Sequence, residues 1–432
     1  MTVKSIARRA SCIVLTFLVA RAGATAHALV HDGKLDVDKA VAAEQTIQIV
    51  RDLRLSHAVG FAVTTPDGLG KILSTPAPGE PSDVEIAAQG AAGAMLGLFP
   101  KGIDLKSESV DALKSQLVAF YDFRTKRMVV VDGAAISSSE DQLERENQRD
   151  YIGYLILAHE FTHALQDQNF DLGDRLMSIH HDGDRALALR SVAEGDATLA
   201  GWGYVSGRMD GSTVTMLNTN MDDAARTFAA HERDRAIAAY EYFNFPYAQG
   251  VRFVGEAYRR GGWAAVDELY RNPPISTQQI MDPSLYFDHP TAPAVVTLDG
   301  YEHGFTGWSV ADRDVWGELG LQVILQRNCG MKASVVALAR RWAGDRVMVM
   351  RKGADYAAIW MVAFRDDDAA RQFATAYNSM LNRLLGRRTP HLVESRGRAV
   401  LAMTGAPARE PGVISSIWSA STVRDGVLPA AE

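Results

Sequence analysis

The chain has 432 residues, 47% of them hydrophobic and 22% charged, with a formal net charge of −7 at pH 7. That is globular composition with room for more than one core. The negative balance and the lack of a basic block argue against a nucleic-acid partner, and after the N-terminus no segment reaches the roughly 20 apolar residues of a bilayer span.

Residues 1–28 read as an export signal. Lys4, Arg8 and Arg9 form a basic start, "CIVLTFLVA" (Cys12–Ala20) a short apolar core, and "AHA" (Ala26–Ala28) a small-x-small cleavage site. An uncleaved anchor is the alternative, against which the shortness of the apolar run speaks. The expected location is periplasmic or secreted. With cleavage after Ala28, Cys329 is the only cysteine left, so no disulfide forms within the mature chain. Cys329 itself reads as a small packed residue.

Asp36 to Leu55 has the apolar spacing of a helix with Asp36 as N-cap, and "AVGFAVTT" follows as a strand. Residues 75–83 are a Pro-rich loop, and Gly90 to Pro100 a helix ended by proline. "QLVAFYDFRTKRMVVVDGAA" (Gln116–Ala135) reads as a hairpin, and Ser137–Asn147 as a charged connector. Helices are predicted over Arg149–Gln168, Asp184–Val205, Asp222–Tyr242 and Tyr247–Gly262, and Asn272–Pro283 reads as a loop leading into a short helix. The last third alternates helices with paired strands, among them "DRVMVMRKG" and "YAAIWMVAFR". The predicted class is α+β: a mainly helical core with a small sheet over 29–300, a smaller α+β unit over 301–415 with its boundary near Gly300, and a tail over 416–432.

The chemistry concentrates in "HEFTH" (His159–His163). An H-E-x-x-H match arises by chance on the order of once in a hundred such chains. On a helix, positions i and i+4 share a face, so His159 and His163 can present imidazoles to one metal ion. Glu160 projects about 100° around the axis from His159, which sets its carboxylate beside the metal as a base for a water molecule. A catalytic zinc takes three protein ligands and keeps a position open. Glu194 in "SVAEGDA" is the best third ligand: a carboxylate in a small, apolar stretch (Ala193–Ala200) is costly unless something pairs with it. His180, His181 and Asp182 are its rivals, in a predicted loop.

"LAHEFTHALQDQ" with a downstream "EGDA" resembles the gluzincin zinc metallopeptidases. "FYDFRTKRMVVVD", "FPYAQGVRFVGEAYRRGGW" and "PPISTQQIMDP" resemble a set of exported bacterial proteins with such a core. The resemblance implies a zincin-like core, Zn2+ held by His159, His163 and Glu194, Glu160 as general base, and a peptide or protein substrate. Two positions depart from it. Thermolysin-like members carry Asp four residues after the ligand Glu, where this chain has Thr198; Asp196, two residues on, is expected to point away from the Glu194 face, which leaves the partner of the metal-binding histidines unassigned. The related proteins often read His-Pro where this chain has Asp282-Pro283. Tyr247 and His231 are candidates to stabilise the oxyanion, and the 128–132 strand is a candidate to pair with an extended peptide. A catalytically silent relative acting as a binding module, and a zinc hydrolase of a non-peptide amide, are the competing readings; the intact Glu160 speaks against the first.

Overall fold

In the computed structural model the described residues are 29–428, except 32, 76–80, 115–116, 134–150, 208, 213, 216, 219–236, 331 and 387–388. The predicted signal sequence, the predicted charged connector and most of the predicted 222–242 helix, His231 included, lie outside them. The fold is mixed α+β, as predicted. Among the described residues no helix is long and apolar enough to cross a membrane.

Three helices build the region around "HEFTH". The motif helix runs Tyr151–Phe170, the next long helix Gly183–Ser206, and a third Ile237–Arg271. Gly183–Ser206 is buried along most of its length, which explains its small, apolar sequence. Asp182 caps its start by accepting from Arg185 N, and Gly207 ends it in the left-handed conformation. It crosses the third helix at Gly195 and Gly250. A Cβ on Gly195 would stand 2.3 Å from the Gly250 carbonyl, and one on Gly250 2.1 Å from Ser191 O, so only glycine permits this approach.

The third helix departs from expectation. The helix predicted to begin at Tyr247 is continuous with the residues before it through Pro246, and the break falls at Gly261–Gly262. Buried Phe245, Val251, Phe253, Val254 and Ala257 pack it along Gly183–Ser206, which offsets the hydrogen bond that Pro246 cannot make. The first helix, Val37–Arg51, capped by Asp36 as predicted, lies across the motif helix.

The predicted hairpin is present as Ala119–Asp122 and Arg127–Val131. Gly60–Thr64 pairs parallel to the second strand. Arg127–Val131 is thus the central strand of three, with both edges paired, and cannot take a peptide as expected of the 128–132 strand. Gly60–Thr64 and Ala119–Asp122 are the edge strands, and Ala119–Asp122 faces the motif helix.

The C-terminal sheet has five antiparallel strands, ordered His391–Arg396, Ala399–Thr404, Asp355–Phe364, Trp342–Lys352 and Ser309–Asp314. Alternation sends Val347, Val349, Trp360, Val362 and Phe364 into the main core, and Met348, Met350, Ile359 and Met361 into a second one. The second core is closed by Val413 and Ile417 of the helix Val413–Ala420 and by Val296. Thr422–Arg424 then pairs with Val295–Thr297, so the predicted tail is ordered secondary structure as far as Arg424. The boundary expected near Gly300 is crossed by the main core: the helix Asp83–Leu96 packs on this sheet, and Gln89 Nε2 donates to Asp312 Oδ2 at 2.7 Å.

Candidate metal centre

His159 and His163 do share one face of the motif helix, and Gly183–Ser206 brings Glu194 against them. His159 Nε2 and His163 Nε2 are 3.0 Å apart, and each is 3.3 Å from Glu194 Oε2. Adjacent donors around a tetrahedral zinc at about 2.0–2.1 Å stand about 3.3 Å apart, so the triangle fits that ion without rearrangement. Among the described residues these three are the one group of His, Cys, Asp and Glu close enough to hold a metal. All three are buried.

The tautomer of His163 follows from its neighbour. The Gln166 amide nitrogen donates to Ala193 O at 2.9 Å and to Asp196 Oδ2 at 3.0 Å. Its oxygen therefore faces His163 Nδ1, 2.8 Å away, and can only accept. Nδ1 carries the proton, and in the neutral ring the Nε2 lone pair points at Glu194 and His159, as a metal ligand requires. His159 Nδ1 is buried without a hydrogen-bond partner, and so is Thr198 Oγ1.

Glu160 is held from the edge strand. Tyr121 N donates to Glu160 Oε2 at 2.8 Å, and Tyr121 OH donates to Asp167 Oδ2 at 3.0 Å, two turns further along the same helix. One residue thus clamps the strand to the helix at two points. Glu160 Oε1 is buried with no hydrogen-bond partner.

The electrostatics suit a cation. Burial lowers His159 to about 4, so it is neutral. Burial also acts against the charge on His163, but the Glu194 charge and hydrogen bond outweigh it and raise His163 to about 9. Burial pushes Glu160 up to about 8. Burial would raise Glu194 too, yet the His163 charge and the two imidazole contacts bring it below its ordinary value. Without metal, then, a proton on His163 supplies the positive charge that the Glu194 carboxylate needs.

Tyr247 reaches the site. Burial raises its phenol well above its ordinary value, with further upward pushes from the charges of Glu194 and Glu160 and from a hydrogen bond to Glu194. The rivals of Glu194 lie elsewhere: His181 is about half exposed, with Nδ1 3.3 Å from Arg313 O, and Asp182 is occupied as a helix cap. Neither they nor His180 belong to the metal-sized group. Asp282 accepts from Ser284 N and Oγ in a local turn. Asp196, expected to point away from the Glu194 face, connects to His163 through an intermediary. It is wholly buried and bonded to Gln166, Arg51 and Tyr270, one step behind His163. The reason is that Gln166 is long enough to span from the motif helix to the Asp196 side of its neighbour.

Sequence reasoning missed Gln166, Tyr121 and Arg51. Gln166 carried a signal, since it lies three residues after His163 on the same helix face. Tyr121 acts through its backbone and Arg51 across 145 residues, which no local pattern encodes.

A family model described as a domain of unknown function (DUF8575) matches residues 306–410. The match covers the C-terminal sheet and its helices and contains none of His159, Glu160, His163 or Glu194. No curated protein and no solved structure matches the chain.

Proposed function

We propose that the protein is an exported zinc-dependent metallopeptidase in which His159, His163 and Glu194 hold the metal and Glu160 is the general base. The observation that carries this is the buried triangle of donors at 3.0–3.3 Å beside a carboxylate with one oxygen pinned and the other unpartnered. A zinc ion bound there supplies Lewis acidity towards a scissile carbonyl and a water.

The chain's own residues supply the rest. Tyr121 N fixes Glu160 Oε2, so Oε1 is the oxygen left to accept a proton from water. Burial raises Glu160 to about 8 in the metal-free site, and the charge of a bound metal would lower it again, so that the carboxylate could take a proton from water and pass it to a leaving amine. Tyr247 keeps its phenolic proton and can donate to a developing oxyanion. An extended peptide would lie along the outer edge of Ala119–Asp122, in place of the central strand.

One observation favours a second reading, a zinc-holding fold without peptidase activity. The donors and Ala119–Asp122 are all buried, so a substrate reaches them only when covering elements part. The deciding experiment measures zinc content and cleavage of a mixed peptide library. The peptidase reading expects about one zinc per chain, its loss in His163→Ala, and cleavage that disappears with it. Zinc without cleavage supports the second reading, and no zinc in protein purified without chelators refutes both.

A further inference from the structure

Behind His163 lies a chain of buried polar groups longer than metal binding alone requires. Gln166 accepts from His163 Nδ1 and donates to Ala193 O, one residue before Glu194, and to Asp196 Oδ2, two residues after it. One side chain thereby fixes the orientation of one ligand and ties its helix to the helix carrying another. Asp196 Oδ2 also accepts from Tyr270 OH at 2.8 Å, and Asp196 Oδ1 from Arg51 Nε at 2.6 Å. Arg51 is the last residue of the first helix and is wholly buried. Its Nη2 donates to Asp267 Oδ1 at 2.7 Å, and its guanidinium lies 4.6 Å from the centre of the Trp263 ring.

An arginine buried between two carboxylates is a costly way to close a core, because apolar residues of similar volume often do as well. Its placement suits another purpose. The Asp196 charge sits against the Gln166 amide and polarises it, which strengthens the carbonyl end as an acceptor for His163. Arg51 holds Asp196 in that position from the end of a helix outside the metal-binding pair.

We propose that Gln166, Asp196 and Arg51 are positioning residues for the metal centre, a relay that locks His163 with its proton on Nδ1 and makes metal affinity depend on the docking of the first helix. The inference rests on the metal-binding reading above and extends it to three residues that touch no metal.

The test uses the full chain and zinc alone, titrated into metal-free protein against a competing chelator. Thermal unfolding of the metal-free form and the visible spectrum of the cobalt-substituted form are recorded beside it. Gln166→Leu removes the acceptor at nearly constant shape. It is expected to weaken zinc binding by about 10–100-fold, the usual effect of losing a partner behind a ligand, and to alter the cobalt spectrum. Asp196→Asn keeps the His163–Gln166 contact and is expected to weaken binding less. Arg51→Lys keeps the charge, loses the two-carboxylate fork, and is also expected to weaken zinc. Lower thermal stability with unchanged zinc affinity and cobalt spectrum would show a merely structural role and overturn the proposal. If the variants do not fold, nitrogen-15 histidine spectra of zinc-loaded wild type decide: a proton on His163 Nδ1 with Nε2 metallated is expected, and the reverse arrangement refutes the relay. Wild type that takes up no zinc refutes the metal reading itself, a distinguishable result.

Discussion

Glu160→Gln would separate the proposed base from the proposed ligands. The variant side chain is nearly isosteric, so its carbonyl oxygen can keep the 2.8 Å bond from Tyr121 N while the amide occupies the place of Oε1. That amide cannot accept a proton. Hydrolysis should fall at least about 10²-fold, or about 3 kcal/mol of transition-state stabilisation. Zinc should stay, because Glu160 contributes no corner to the donor triangle. Stability has two opposing contributions. Burying an amide where Oε1 had no partner costs about 1–3 kcal/mol. Against this, the folded-state value of Glu160 is raised from 4.5 to about 8 by burial. A raised value means that the wild-type contribution is complete below about 4.5 and is lost as pH rises through about 8. The variant lacks that slope. Metal-free Glu160→Gln should therefore be less stable than wild type near pH 6, and the gap should close towards pH 9. Zinc content, unfolding of the metal-free forms at both pH values and peptide cleavage are measured on paired samples. Full cleavage by a zinc-loaded variant would refute the assignment of the base, and lost zinc would refute the ligand set.

Zinc uptake should release between one and two protons near pH 7.5, because His163, raised to about 9 in the metal-free site, must give up a proton to bind, and Glu160, raised to about 8, would ionise beside the metal; calorimetry in buffers of different ionisation enthalpy reads this, and no release would show His163 already neutral. Gly195→Ala should cost about 1–3 kcal/mol as overpacking, since its Cβ would stand 2.3 Å from the Gly250 backbone, and zinc affinity should fall as Glu194 moves with the helix; wild-type stability would show that the crossing yields. Asp345→Ala should be among the most damaging changes in the C-terminal sheet. It strands Trp316 N, Gly317 N, Trp342 Nε1 and Trp360 Nε1, at about 1–3 kcal/mol for each buried orphan; a thermal shift of only a degree or two would mean that water replaces the carboxylate.

Where a signal was local, the sequence carried it. The i, i+4 histidines, the hairpin around Asp122–Arg127 and the Asp36 cap all depend on neighbours within a few residues, and all stand where predicted. The signals that failed are those settled by tertiary packing. The helix predicted to begin at Tyr247 instead runs on from the residues before it, because the turn at Pro246 is held against Gly183–Ser206, while the break falls at the predicted Gly261–Gly262 pair. The β-branched run within 128–132 belongs to a strand that is central and buried on both sides, and that centrality is what removes it from peptide pairing.

Asp196 shows how a correct local rule can lead to a wrong site. Two residues along a helix turn a side chain about 200° away, so Asp196 does not share the direction of Glu194. The inference that it could not serve the histidines assumed a direct contact. Gln166 removes that assumption: from three residues after His163 it reaches across the helix pair and meets Asp196 on its own side. The carboxylate that could have stood at position 198 is replaced by Thr198, whose hydroxyl, like His159 Nδ1, has no hydrogen-bond partner. Hydrogen bonding behind the two imidazoles is therefore asymmetric: His163 Nδ1 is followed by Gln166, Asp196 and Arg51, whereas His159 Nδ1 meets packing alone. If the centre binds metal, its weak corner is His159, and substitutions in the packing around that ring should loosen the metal before any change beyond Asp196 does.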